Sequence, residues 1–208
     1  LYAYLSPVHD VSLTRLKKLA ARTEKRNPGL STRSADLAHF DREVAIIKEL
    51  YNAAWEKNWG FVPVSDAEFD ALAKELKSLV HPDLVRIAFV GDEPVAFILT
   101  VPDWNPVLKD LEGEPWRHPF KVLKHLLFTK AESLPGIRLI LLGIREGYRN
   151  RGIEALLFAS GIEVALDAGY EWCEYSWILE DNELTKRAVR LMGGDLYKIY
   201  RIYEKALS

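Results

Sequence analysis

Cysteine occurs once, at Cys173, so no disulfide can close within the chain, and a reducing compartment suits it. Methionine also occurs once, at Met192, and position 1 is leucine. The sequence is therefore expected to be a fragment or a processed product of a longer chain. No apolar run approaches the ~20 residues of a membrane-spanning helix, and the first residues lack the layout of a signal peptide. A cytoplasmic protein with no membrane partner is expected. Neither sign of charge is in excess: 28 basic against 30 acidic residues give −2, which offers nucleic acid no bulk basic field. Of the five histidines, His9, His39 and His81 stand alone. His118 and His125 are seven apart, with no third ligand spaced to them and no His-Glu-x-x-His, so no metal is expected. Neither G-x-G-x-x-G nor G-x-x-x-x-G-K-[ST] occurs, which removes the main support for a dinucleotide or P-loop site. Internal repeats and low-complexity segments are absent.

What is present is an ordinary globular composition, 49% apolar and 28% charged over 208 residues. One domain is the default at this length. The division expected is an N-terminal arm or linker over 1–28 and a domain over 29–208. The chain is organised around residues 136–168. An apolar run over 137–144 reads as a buried strand, and 145–152 is polar, basic and glycine-containing. A helical pattern follows at Ile153, Leu156, Leu157, Val164 and Ala168. The N-terminus of a helix carries unpaired N–H groups and the positive end of its dipole, and Arg149 and Arg151 add charge there. The stretch reads as a seat for a phosphate or pyrophosphate. An ordinary turn with solvated arginines is the plainer alternative.

This stretch resembles motif A of the GNAT acyltransferase superfamily, [QR]-x-x-G-x-[GA] between a strand and a helix. Arg149, Asn150, Arg151, Gly152 and Ile153 fit its first five places, and Glu154 departs from the sixth. The remainder follows the family's order. Residues 171–179 form a second strand, and Asp181 and Asn182 open a helix that ends at Gly193-Gly194. A terminal strand alternates within 196–207. The block 176–182 and the tail 200–205 are similar to a bacterial GNAT branch in which another GNAT-like half precedes this one, which agrees with a missing N-terminal half. The resemblance, over about 30–207, implies an α/β fold with a mixed, twisted sheet and helices on both faces.

Taken in order, 1–5 could be a short strand, one that pairs with the absent half. Residues 11–25 read as a basic helix, either a solvated linker or a binding arm. After the turn at Asn27-Pro28-Gly29 come a strand over 30–34 and a helix over 36–55. Ser65 and Glu68 form a capping box for a further helix over 66–80. Two strands, 84–90 and 95–101, flank a hairpin at 91–94. A long connection at about 102–135, with a helix over 118–128, is expected to be an insertion serving as a lid, a partner surface or an edge cover.

The resemblance implies an acyl-CoA-dependent N-acyltransferase. Acetyl-CoA would be the co-substrate and a small amine or amino-acid-like molecule the acceptor, which attacks the thioester directly. The backbone of Leu142, Gly143 and Ile144 would bind pantetheine, with Gly143 a bulge. Residues 149–153 would bind the pyrophosphate. Trp55, Trp59 and Phe61 could line the acceptor pocket or pack as core. The helical tyrosine common in the family falls at Val189. Substitutes for it are Glu174 and Glu180, or Tyr175, Tyr197 and Tyr200. Glu180 as a base acting through water, Asn182 placing the thioester sulfur, and Tyr197 are the candidates retained, although Glu180 and Asp181 also suit helix capping. Glu174, Ser176 and Ile178 share one strand face. Cys173 reads as a buried strand residue rather than a nucleophile. Two other readings stay open: a non-catalytic or degenerate GNAT-like module packing against a second half or in a homodimer, and the same fold using a long-chain acyl or aminoacyl donor.

Overall fold

The computed structural model describes residues 1–56, 61–77, 79–112 and 114–205. Among the described residues the seven strands are β1 (Tyr2–Pro7), β2 (Leu30–Ser34), β3 (Val85–Val90), β4 (Glu93–Pro102), β5 (Gly136–Ile144), β6 (Trp172–Ile178) and β7 (Asp195–Ile199). Seven α-helices among the described residues are α1 (Leu13–Arg26), α2 (Phe40–Trp55), α3 (Asp66–Lys77), α4 (Asn105–Asp110), α5 (Pro119–Phe128), α6 (Ile153–Asp167) and α7 (Glu183–Leu191). The strands form one sheet in the order β2-β3-β4-β5-β6-β1-β7. Every pairing is antiparallel except β5 with β6.

Alternation along the strands sends side chains to two apolar clusters, one on each face. Ala88 and Ile98 join the cluster that holds α1 and α6, whereas Ile87, Phe97 and Leu99 join the one that holds α2. Helix α6 is apolar nearly all round, with Ile153, Leu157, Phe158 and Ile162 buried, so it needs cover on more than one side. The sheet provides one cover, and Leu16 and Ala20 of α1 provide another. Thus α/β architecture with helices on both faces is observed.

Two local expectations are met and two are replaced. Ser65 and Glu68 do form the capping box, with Ser65 N–H on Glu68 Oε2 at 2.9 Å and Glu68 N–H on Ser65 Oγ at 3.3 Å. The hairpin turns at Gly91, with Val90 paired to Glu93. Residues 1–28, expected as an arm or linker, are instead part of the layered structure. β1 lies inside the sheet between β6 and β7, with Ala3 and Tyr4 buried. The reason is that Tyr4, Val8, Leu16 and Ala20 supply apolar surface the main cluster requires. The expected bulge at Gly143 is also displaced. Leu99 faces Leu141 and Thr100 faces Leu139, so the extra residue is Ile140, while Gly143 pairs regularly with Phe97.

Candidate functional site

The parallel ladder between β5 and β6 is short. It runs from Gly136 opposite Trp172 to Leu139 opposite Tyr175 and then stops. Both strands continue, β5 to Ile144 and β6 to Ile178. From Leu141 to Ile144, β5 keeps its pairing with β4 on one side and has no strand partner on the other among the described residues. The bulge at Ile140 lies where the fork opens, as expected of a device that bends and twists a strand. The result is a strand edge whose N–H and C=O groups can pair with an extended, amide-bearing ligand.

The fork leads into the basic loop. Gly152 is the N-cap of α6 with φ +81°, and Asn150 has φ +61°, so two left-handed residues shape the approach to the helix. Helix α1 holds this loop from behind. Thr23 Oγ1 donates to Gly152 O at 3.3 Å, and Asn27 Nδ2 reaches Arg151 O at 3.5 Å. A Cβ on Gly152 would fall 2.7 Å from Thr23 Oγ1. The two arginines differ in role. Arg149 donates to Ile144 O at 3.2 Å and Ala54 O at 2.7 Å, tying the end of β5 to the end of α2. Arg151 is exposed, its guanidinium 4.9 Å from the centre of the Tyr148 ring. Ile153 is buried beneath the helix start, and Glu154 is half-buried in the first turn.

Trp55 packs over the open strand. Its ring stacks on Tyr51 at 4.9 Å and lies 6.0 Å from Phe97. Phe61 joins the same group, 5.9 Å from Tyr51. Trp59 lies outside the described residues. Trp55 and Phe61 are therefore brought together, with Trp55 forming part of the second apolar cluster beside the fork.

Among the described residues the three candidate catalytic residues have separate partners. Glu180 accepts from Tyr2 Oη at 2.6 Å and from Arg201 Nη1 at 2.9 Å. The hydrogen bond from Tyr2, then that from Arg201, holds its carboxyl below the ordinary glutamate range, which makes it a weaker base. Asn182 is the N-cap of α7, its Oδ1 accepting from Thr185 N–H at 3.1 Å. Tyr197 is exposed on the edge strand β7, with Lys198 Nζ 4.5 Å from its ring centre.

A polar cluster that the sequence reading left incomplete lies where the fork closes. Arg138 and Glu174 face each other across the ladder, and Arg138 Nη2 meets Glu174 Oε1 at 2.6 Å and Ser176 Oγ at 3.1 Å. Ser176 Oγ donates to Glu174 Oε1 at 2.8 Å, and Lys198 Nζ stands 3.6 Å from Glu174 Oε2. The Glu174 side chain is only 4% exposed. Burial of such a carboxylate is sustained by its ion pair and hydrogen bonds. Nε of Arg138 is buried without an acceptor among the described residues. The shared face of Glu174 and Ser176 was readable from alternation. Arg138 required the register of two strands far apart in sequence. Cys173, on the opposite face, is buried, and burial pushes its thiol up to about 12, so it carries no thiolate near neutral pH. No group of three or more His, Cys, Asp or Glu suited to a metal occurs among the described residues.

A seven-stranded mixed sheet that forks beside a glycine-containing loop and a helix N-terminus is the GNAT fold. A GCN5-related N-acetyltransferase from Sphaerobacter thermophilus superposes with a TM-score of 0.57 at 14% identity, covering 94% of this chain and 48% of that one. AAC(6')-Iy, in complex with a CoA-S-monomethyl-acetylneamine bisubstrate analogue, gives 0.54 at 14% identity, covering 86% and 99%. No protein-family profile matches the chain. Among curated proteins it is similar to the bacterial ceramide synthase of Caulobacter vibrioides, 32% identical over 198 residues, 92% of this chain and 51% of that protein. The chain spans about half the length of the curated relatives it matches.

Proposed function

We propose that the chain is the acyl-CoA-binding part of an N-acyltransferase. The observation that carries the reading is the fork between β5 and β6, which opens beyond Leu139 and runs into the α6 N-terminus. The free edge from Leu141 to Ile144 suits the two amides of pantetheine. The backbone N–H groups at the start of α6, with Arg151, suit the pyrophosphate. The thioester would then lie towards the closed end of the fork, beside Arg138, Glu174 and Ser176.

The chemistry asked of the site is modest. The acceptor amine attacks the thioester carbonyl carbon, a C–N bond forms, the C–S bond breaks, and the proton lost by the amine nitrogen ends on the CoA thiolate, giving the amide and free CoA. Positioning supplies much of the rate. The part-exposed guanidinium of Arg138 is the donor for the developing oxyanion, with Glu174 and Ser176 fixing its position. Glu180 acts, in this reading, by holding β1 and the tail at the mouth of the site. Asn182 acts by starting α7. The Trp55–Phe61 cluster forms the acceptor-side wall.

Acetyl-CoA with a small amine is one version. A longer acyl chain with a lipid-like amine is the second, favoured by the likeness to a protein named ceramide synthase. The remaining half of a longer protein, or a second copy of this chain, would complete the acceptor side, because the relatives are about twice as long.

Thermal unfolding with acetyl-CoA, palmitoyl-CoA and free CoA tests the proposal. A ligand at roughly a hundred times its Kd stabilises by about 2.7 kcal/mol. In a domain of this size that raises Tm by roughly 5–10 °C. The shift should shrink in Arg151→Glu, which removes an exposed cation and leaves the Arg149 contacts intact. The acyl-CoA giving the larger shift fixes the acyl length. No shift with any of the three would overturn the reading.

A further inference from the structure

Helix α5 is mounted with its polar side inward. Lys121 Nζ reaches Asp110 O at 2.8 Å and Oδ1 at 3.2 Å, and His125 Nε2 lies 3.0 Å from Asp110 Oδ2. These two residues, four apart, fix the face of α5 turned towards α4. The outward face carries Phe120, Leu123, Leu127 and Phe128, with Trp116 one turn earlier. Phe120 is 86% exposed and Phe128 75% exposed. A contiguous stripe of large apolar residues turned to water calls for a cover.

Charge narrows what that cover is. From Trp116 to Lys130 the sequence holds four cations, Arg117, Lys121, Lys124 and Lys130, and no acidic residue. Arg117 pairs with Glu114 and Lys121 with Asp110. Lys124 and Lys130 have no acidic partner among the described residues and are exposed beside the stripe. An exposed Trp/Phe/Leu face flanked by lysines is the layout of a helix that lies in the plane of a membrane interface, its rings among the acyl chains and its cations at anionic headgroups. Among the described residues no helix is long and apolar enough to cross a membrane, and a peripheral contact requires none.

We infer that the outward face of α5, with Trp116, docks on an anionic lipid surface. The inference stands on this helix alone and does not depend on the acyl-transfer reading. Were both to hold, α5 would bring the fork to lipid-borne acceptors.

Flotation of the purified chain with phosphatidylglycerol/phosphatidylethanolamine vesicles, without any acyl-CoA, is the test. Binding to these vesicles and not to phosphatidylcholine is expected. Phe120→Asp with Leu127→Asp should weaken it at least tenfold, and Lys124→Glu with Lys130→Glu should do so most at low salt. The altered residues are exposed, so cooperative unfolding should be retained in both variants. Failure of the folded chain to bind anionic vesicles would overturn the inference. So would undiminished binding by the Phe120/Leu127 variant, since another surface would then carry it. A concentration-dependent dimer that this variant abolishes, without vesicle binding, would make a second copy the cover instead.

Discussion

Gly143 lacks a side chain because two rings already occupy the space one would need. A Cβ there would stand 2.6 Å from Phe97 Cε1 and 2.6 Å from Trp55 Cζ3. Both rings are held in the second apolar cluster, so neither can move away freely. Gly143→Ala is expected to destabilise by about 1–3 kcal/mol, the usual cost of overpacking, read as a lower midpoint in urea with an unchanged slope. The same substitution would push the free edge of β5 away from its place beside Trp55. Position 143 was legible in the sequence as a glycine with a purpose, but its purpose was misassigned. A bulge and a close ring contact both select glycine, and only the pairing of Phe97 with Gly143 separates them.

At the level of elements, the loop before α6 depends on a helix distant in sequence. Thr23 and Asn27, on and just after the last turn of α1, grip the carbonyls of Gly152 and Arg151. Thr23→Val with Asn27→Ala should leave the fold intact and weaken acyl-CoA binding by roughly five- to thirtyfold, about 1–2 kcal/mol of lost hydrogen bonding. Isothermal titration would measure it. The strand, loop and helix of 136–168 could be read in advance, because an apolar run, a glycine and a 3.6-residue period are local signals. What α1 does could not. Its own pattern says only that Leu13, Leu16 and Leu19 share a side. The same limit applies to α5, where periodicity identifies the stripe of Phe120, Leu123 and Leu127 and is silent on whether that stripe faces protein or water.

Across the whole molecule, the sheet is completed by its most distant parts. β1 pairs with β6 through Tyr2 opposite Ile178 and with β7 through Tyr2 opposite Ile199. Leu1 and Tyr200 exchange backbone hydrogen bonds at 3.0 and 2.8 Å. A chain beginning at Gly29 should therefore lose cooperative unfolding and expose apolar surface, since Tyr4, Val8, Leu16 and Ala20 leave the core with it. Calorimetry and dye binding would register both, and a truncated chain that melts like the full one would restore the expected arm. The order of the last strands was legible, and the insertion of the first one between them was not, because pairing at such separation leaves no local trace. That closure also sets a timetable during synthesis. β1 leaves the ribosome ahead of both its neighbours, and at about 5–20 residues per second it waits roughly 10–35 s for β6. Throughout that interval both its edges are open, and any other nascent chain offering an edge is a competitor for the place that residues 172–178 and 195–199 will later take.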